Sequence, residues 1–262
     1  AKADGGTEIC TAESQSATDY TFSIPKTITD GQYKITGTNV NELTFNVEVA
    51  IKLNTMTYND QNYELANFID PDLFITYDTA YKTQTYPLKN GETLVIDYSD
   101  ETERAKLTSL ELHTFSKTQI GNYFLSFCTS LSSVDLSGLS SVTSIGDNFL
   151  DNCTSLASLN LDLPILTKIG NSFLSCCEDL TSLTLDFPVL TQINYAFLYS
   201  CSALTTLTLW DQDPQTITIK NKTNWLYNTP SLNTIYVPGK YTRYYNETDP
   251  WDKKSGKYFA KQ

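Results

Sequence analysis

The chain has 262 residues, and 30 acidic against 18 basic side chains leave a net charge of −12. Contact with phosphate backbones or anionic lipid needs a basic footprint, so this balance argues against nucleic acid and against direct membrane adsorption. There is no run of 18 apolar residues and no secretory leader, so neither a transmembrane helix nor a signal peptide is expected.

The first third alternates as strands do. Tyr20-x-Phe22-x-Ile24, Tyr33-x-Ile35 and Leu43 to Ile51 come first, then Leu73 to Tyr77 and Leu94 to Tyr98. Turn signals at Asp30-Gly31, Asn59-Asp60 and Asn90-Gly91 separate them. Residues 1–96 therefore read as a small β-rich domain, an antiparallel β-sandwich of Ig-like layout. The competing reading is a β-rich cap that extends the sheet that follows. Residues 97–106, with Asp97, Asp100, Glu101 and Glu103, read as an acidic linker; no loop motif for calcium accompanies them.

From there one sentence repeats. Ile120-Gly121 to Cys128, Ile145-Gly146 to Cys153, Ile169-Gly170 to Cys177 and Ile193-Asn194 to Cys201 share a pattern, and each continues as C-x-x-L-x-x-L-x-L. The copies start 25, 24 and 24 residues apart, taking differences between successive isoleucines. Such a period specifies a solenoid, in which each coil buries its apolar face only against its neighbours. The L-x-L pair predicts one strand per coil in a parallel sheet, near 109–112, 133–136, 158–161, 182–185, 206–209 and 234–237. The Phe-Leu pair before each Cys predicts a single helical or 3₁₀ turn on the other side. Gly121, Gly146, Gly170 and Asn194 share a position, read as a left-handed corner. The pattern decays at Leu107 to Leu112 and again at Trp225 to Val237, placing the solenoid at 107–238 and a C-terminal cap at 239–262.

The stretch Leu166-Thr-Lys-Ile-Gly-Asn-Ser-Phe-Leu-Ser-Cys-Cys-Glu-Asp-Leu-Thr-Ser-Leu-Thr-Leu resembles the BspA-type bacterial leucine-rich repeat, as do Ile235-Tyr-Val-Pro-Gly and the Tyr-rich segment to Trp251. The resemblance covers residues 107–251 and departs from the pattern in two places. The Ala before Phe is Tyr123, Asn148 or Ser172 in three of the coils, and the Pro after the strand comes two residues late. It implies a mainly β fold, a leucine-rich-repeat solenoid behind the β-sandwich-like domain. It also implies cell-surface or secreted proteins of host-associated anaerobes, used in adhesion, and the absence of a catalytic signature in the residues gives the expectation of no enzyme activity and no cofactor. A lipid anchor would belong to a longer precursor, since Cys10 is not the first residue.

Six cysteines need a reading. Cys128, Cys153, Cys177 and Cys201 point into one apolar column and read as free buried thiols. Stacked in a line they cannot converge on a metal, so no metal site is expected. Cys10 and Cys176 lie outside the column, and pairing between them is left open. For catalysis there is one histidine, His113, with no nucleophile or phosphate-loop motif, so it reads as a surface residue.

Alternation leaves a ladder of short polar side chains on the outer face of the strands. Glu111, His113, Asp135, Asn160, Asp162, Thr184, Asp186, Thr208 and Trp210 are the candidate binding residues, with acids for charge and Trp210 as an aromatic anchor. The expected partner is an extracellular protein or, as the second reading, a glycan.

Overall fold

The computed structural model describes residues 2–3, 12–15, 20–22, 31–35, 43–47, 53–66, 83–115, 117–210, 212–220, 224–237, 240–241 and 258–261. The chain divides into two compact units, Ala1–Lys52 and Leu53–Gln262. The first holds β1 (Lys2–Ala3), β2 (Ala12–Gln15), β3 (Tyr20–Phe22), β4 (Gly31–Ile35) and β5 (Leu43–Val47). All its pairings are antiparallel: β4 lies between β1 and β5, and β2 pairs with β3. Tyr33 faces Phe45 and Ile35 faces Leu43, the alternation read from the sequence. The strand expected at Leu73 to Tyr77, Cys10 and Trp251 fall outside the described residues.

The second unit begins well before the expected boundary at 96/97. It comprises β6 (Thr55–Tyr58), β7 (Gln61–Glu64), β8 (Thr83–Pro87), β9 (Thr93–Asp97), the helical turn α1 (Glu101–Arg104) and β10 (Leu107–Glu111). The coils follow with β11 (Gln119–Ile120), β12 (Ser133–Asp135), β13 (Ser144–Ile145), β14 (Ser158–Asp162), β15 (Lys168–Ile169) and β16 (Ser182–Asp186). Then come β17 (Gln192–Ile193), β18 (Thr206–Thr208), β19 (Thr218–Ile219), β20 (Thr234–Val237) and β21 (Tyr258–Lys261).

The β6–β7 hairpin lies against the first coil strand, with Met56 opposite Leu110, so it extends the solenoid sheet as a cap. Asn54, fully buried, clamps the junction. Its Oδ1 accepts from the His113 and Thr114 N–H groups at 2.8 and 3.0 Å, and its Nδ2 donates to the Thr114 carbonyl at 3.2 Å. The β8–β9 hairpin contributes Tyr86, Ile96 and Tyr98 to the core, the two hydroxyls bonded at 2.7 Å. The acidic run is no linker. Asp100 caps α1 through the Thr102 N–H, Arg104 is buried with its guanidinium on the Tyr98 carbonyl, and the Tyr58 hydroxyl donates to Glu103.

The coils stack like on like. Two parallel ladders run along the solenoid, β11-β13-β15-β17-β19 on one side and β14-β16-β18-β20-β21 on the other. Phe124, Phe149, Phe173 and Phe197 form a column with ring centroids 5.3, 5.2 and 5.5 Å apart. Cys128, Cys153, Cys177 and Cys201 are buried and free, as is the half-buried Cys176. Each of the last three column thiols donates to a carbonyl in the preceding coil: Cys153 to Leu125, Cys177 to Leu150, Cys201 to Leu174, at 3.0–3.2 Å. Burial pushes the Cys128 and Cys201 thiols up to about 12.

Two local expectations are corrected. Gly146 and Gly170 do not take positive φ; among the described glycines only Gly91 does. They are small because the coils touch there. A Cβ on Gly146 would lie 2.6 Å from the Gly121 carbonyl carbon, and one on Gly170 would lie 2.3 Å from the Gly146 oxygen. The left-handed residues come later, in place of the helical turn expected on this side. They alternate through each turn, as at Asn148, Leu150 and Asn152, and recur at Ser172, Leu174 and Cys176. Alternation points successive N–H groups up and down the stack. Asn148 donates to Asn171 in the next coil, Leu150 to Phe124 in the previous one, and Asn152 to Ser175 in the next. These bonds and the burial of each leucine offset a left-handed cost of about 1 kcal/mol per residue.

The sheet is not continuous. Leu136 and Leu139 are three residues apart, where Leu161 and Leu163, and Leu185 and Phe187, are two apart. A 3₁₀ turn at Ser137–Leu139 absorbs the extra residue, and the hydrogen-bond ladder stops between β12 and β14.

Three outcomes follow from this packing. Gly170→Ala should destabilise the protein by about 1–3 kcal/mol in urea unfolding, because the atoms it meets are backbone. The four column thiols should resist a thiol reagent at pH 8 in the native protein and all react after unfolding without reductant. Asp151, bonded by Ser175, has its carboxyl pushed up by burial to about 6. Its contribution is complete below the unfolded value of about 4 and is lost as pH rises from there to about 6. Asp151→Asn should therefore raise stability at pH 7.5 by about 1 kcal/mol, allowing for its partial exposure, and leave it unchanged at pH 3.5.

Candidate binding face of the solenoid sheet

Strand register gathers the outward side chains into columns. Ser109 faces Ser133, and Ser158, Ser182, Thr206 and Thr234 continue the same position in later coils. Glu111 faces Asp135, while Asn160, Thr184, Thr208 and Tyr236 form the matching column beyond the break. Asp162 faces Asp186 in a third column. Leu159, Leu161, Leu183 and Leu185 point the other way and are buried. The nine candidate residues thus fall on one face, except Trp210.

Trp210 is only 1 % exposed. The strand ends at Thr208, and the chain turns the indole inward onto Phe187, with centroids 5.5 Å apart. It follows Leu163 and Phe187 in a core column, and a large ring closes that column at the last regular coil. The outward aromatic is instead Tyr236, half-buried and in register with Thr208. The Ile235-x-Val237 alternation was the signal for it.

His113 is not a plain surface residue either. Its side chain is 8 % exposed and sits between acids of two coils, with Nε2 3.3 Å from Glu111 Oε2 and Nδ1 3.8 Å from Asp135 Oδ2. Nδ1 also lies 2.9 Å from Ser137 Oγ. Gly138 makes room: a Cβ there would lie 2.4 Å from the His113 carbonyl carbon.

Ser137, His113 and Glu111 are thus ordered as a nucleophile, a base and an orienting acid would be. Acyl transfer also needs N–H donors aimed at an oxyanion, and the local ones are engaged. The Ser137 N–H binds Asp135 Oδ1 at 2.9 Å, the Gly138 N–H binds the Leu112 carbonyl, and the Leu139 N–H binds the Leu136 carbonyl. What the arrangement does is fix the acids. Asp135 is held by the turn, Glu111 and Asp135 flank one imidazole, and Asp162 and Asp186 stand exposed beyond the break. Among the described residues no group of three or more His, Cys, Asp or Glu side chains is placed to hold a metal ion.

Searches of the curated proteins and of the solved structures return no match to the chain. The BspA type leucine rich repeat region matches in six copies, over residues 102–163 and 118–248. These stretches together span more than half of the chain and contain every coil from β10 to β20. The chain belongs to the BspA-type leucine-rich repeat family.

Proposed function

We propose that this protein is a cell-surface or secreted adhesin, whose solenoid sheet face binds an extracellular protein through a basic segment. The family supports the frame: its solenoids are typically non-enzymatic interaction scaffolds, on proteins that are typically surface or secreted. Among the described residues no helix is long and apolar enough to cross a membrane. One observation carries the choice of partner. Glu111, Asp135, Asp162 and Asp186 stand on one flat face among short hydroxyl and amide side chains, with no lysine or arginine in its columns. Such a face steers and selects a basic partner by charge complementarity. A glycan on this same face would have to rest on Tyr236, since Trp210 belongs to the core.

The test is an array of extracellular matrix and serum proteins probed with the pure chain and with an Asp135→Asn, Asp162→Asn, Asp186→Asn variant. Binding should be strongest to basic proteins, fall steeply between about 50 and 300 mM salt, and weaken at least about tenfold in the triple variant at low salt. Trp210→Ala should lower the melting temperature sharply, as loss of a buried aromatic does. Salt-insensitive binding that survives the triple variant would move the site off this face.

A further inference from the structure

We infer that the turn side of the last coils carries a second binding site, for a neutral glycan, built on Tyr195, Tyr199 and Tyr227. It is independent of the sheet-face reading, since none of these residues lies on that face.

The repeat itself shows that the fold does not need rings here. The position occupied by Tyr199 and Tyr227 is Ser126, Asp151 and Ser175 in the earlier coils, which close equally well. The position of Tyr195 is Asn122, Asp147 and Asn171 in those coils. There each side-chain oxygen accepts the N–H of its equivalent in the next coil, at 2.8, 2.7 and 3.2 Å. That ladder ends at Tyr195, which accepts an N–H from Asn224 on its hydroxyl instead, at 3.0 Å. Aromatic residues thus replace small polar ones in both columns, and only at this end.

They remain open to solvent. Tyr195 is 41 % and Tyr227 53 % exposed, two of the five exposed large apolar side chains among the described residues. Tyr199 stacks on Tyr227 with centroids 5.5 Å apart and planes 15° off parallel, which fixes the Tyr227 ring in place. Clustered exposed rings of this kind mark contact sites.

The surroundings choose the ligand. Asn224, Asn228 and Ser200 border the rings, with Asn228 Nδ2 on Ser200 Oγ at 3.1 Å. These are neutral donors and acceptors, and among the described residues none that the bonds place on these rings and amides is charged. A pyranose matches it: its axial C–H groups pack on an aromatic face, and its equatorial hydroxyls exchange hydrogen bonds with amides and hydroxyls. A protein partner would need about 800 Å² on this side, far more than three tyrosines and their amide neighbours offer.

The probe is a panel of neutral oligosaccharides, namely hexamers of β-linked glucose, β-linked N-acetylglucosamine, α-linked glucose and α-linked mannose, titrated by calorimetry. At least one should bind with a Kd at or below about 1 mM, unchanged between low and high salt. Tyr199→Ser and Tyr227→Ser place in these coils the residue that Ser175 already supplies, so folding, checked by circular dichroism, should persist. Each should weaken binding at least about tenfold, and Tyr227→Phe should retain it. The Asp135, Asp162, Asp186 triple variant should bind as the parent does, which separates this site from the sheet face. No heat from any of the four sugars, binding that survives both serine variants, or capture of a protein through Tyr227 in place of sugar would each overturn the assignment.

Discussion

Neighbouring coils are held at a distance that backbone alone sets. At Gly170 the preceding coil's carbonyl sits where a Cβ would be, so the two backbones meet directly. Everything else in the solenoid takes its position from that approach. The phenylalanine rings can stack only because the backbones carrying them are one strand spacing apart, and the thiols reach carbonyls one coil away for the same reason. Threonines use it too: the hydroxyls of Thr143, Thr167 and Thr191 each donate to the equivalent residue of the preceding coil at 2.9–3.0 Å. A repeat of 24 residues is therefore less a unit of structure than a unit of translation. Its interior is made between copies rather than within one.

That translation made most of the solenoid legible. Apolar residues recurring every 24 or 25 positions name the core columns directly, and all of Ile145, Phe149, Cys153, Leu156, Leu159 and Leu161 are buried. What the repeat hides is the reason for each small or polar residue. Gly146 looks like a conformational requirement and is a steric one, because a sequence does not show what lies in the adjacent coil. The left-handed leucines carry no signal, since leucine avoids positive φ unless tertiary bonds hold it there. Asp100 to Arg104 reads as solvated charge, yet one aspartate cap and one buried arginine are enough to fold it onto the first coil.

The proposed binding face was legible as a face and misread at its ends. Strict alternation places Asn160, Asp162, Thr184 and Asp186 correctly, because the strands around them run uninterrupted. It fails at Trp210, one residue past the end of a strand, where filling a core column outweighs the alternation. The reading of full exposure fails at His113, which stays on that face but is drawn in beside Ser137 by the Asn54 clamp and the Gly138 contact. Both failures sit where the repeat meets an end, and ends are where a one-dimensional pattern stops describing its surroundings.

The interruption after Asp135 divides the stack mechanically. On one side, β12 and β10 are laced to the β6–β7 hairpin; on the other, β14 to β21 are laced to one another. Across it the outward strands share no ladder, but the two blocks stay joined through the β11–β13 ladder, the turn-side bonds of Tyr123, Phe127 and Leu150, the Cys153 thiol and the Phe124–Phe149 stack. Such a seam is a gap in one wall of an otherwise bonded stack. A partner lying across Asp135 and Asp162 would span two strands whose spacing is set by the core and the turn side rather than by a backbone ladder.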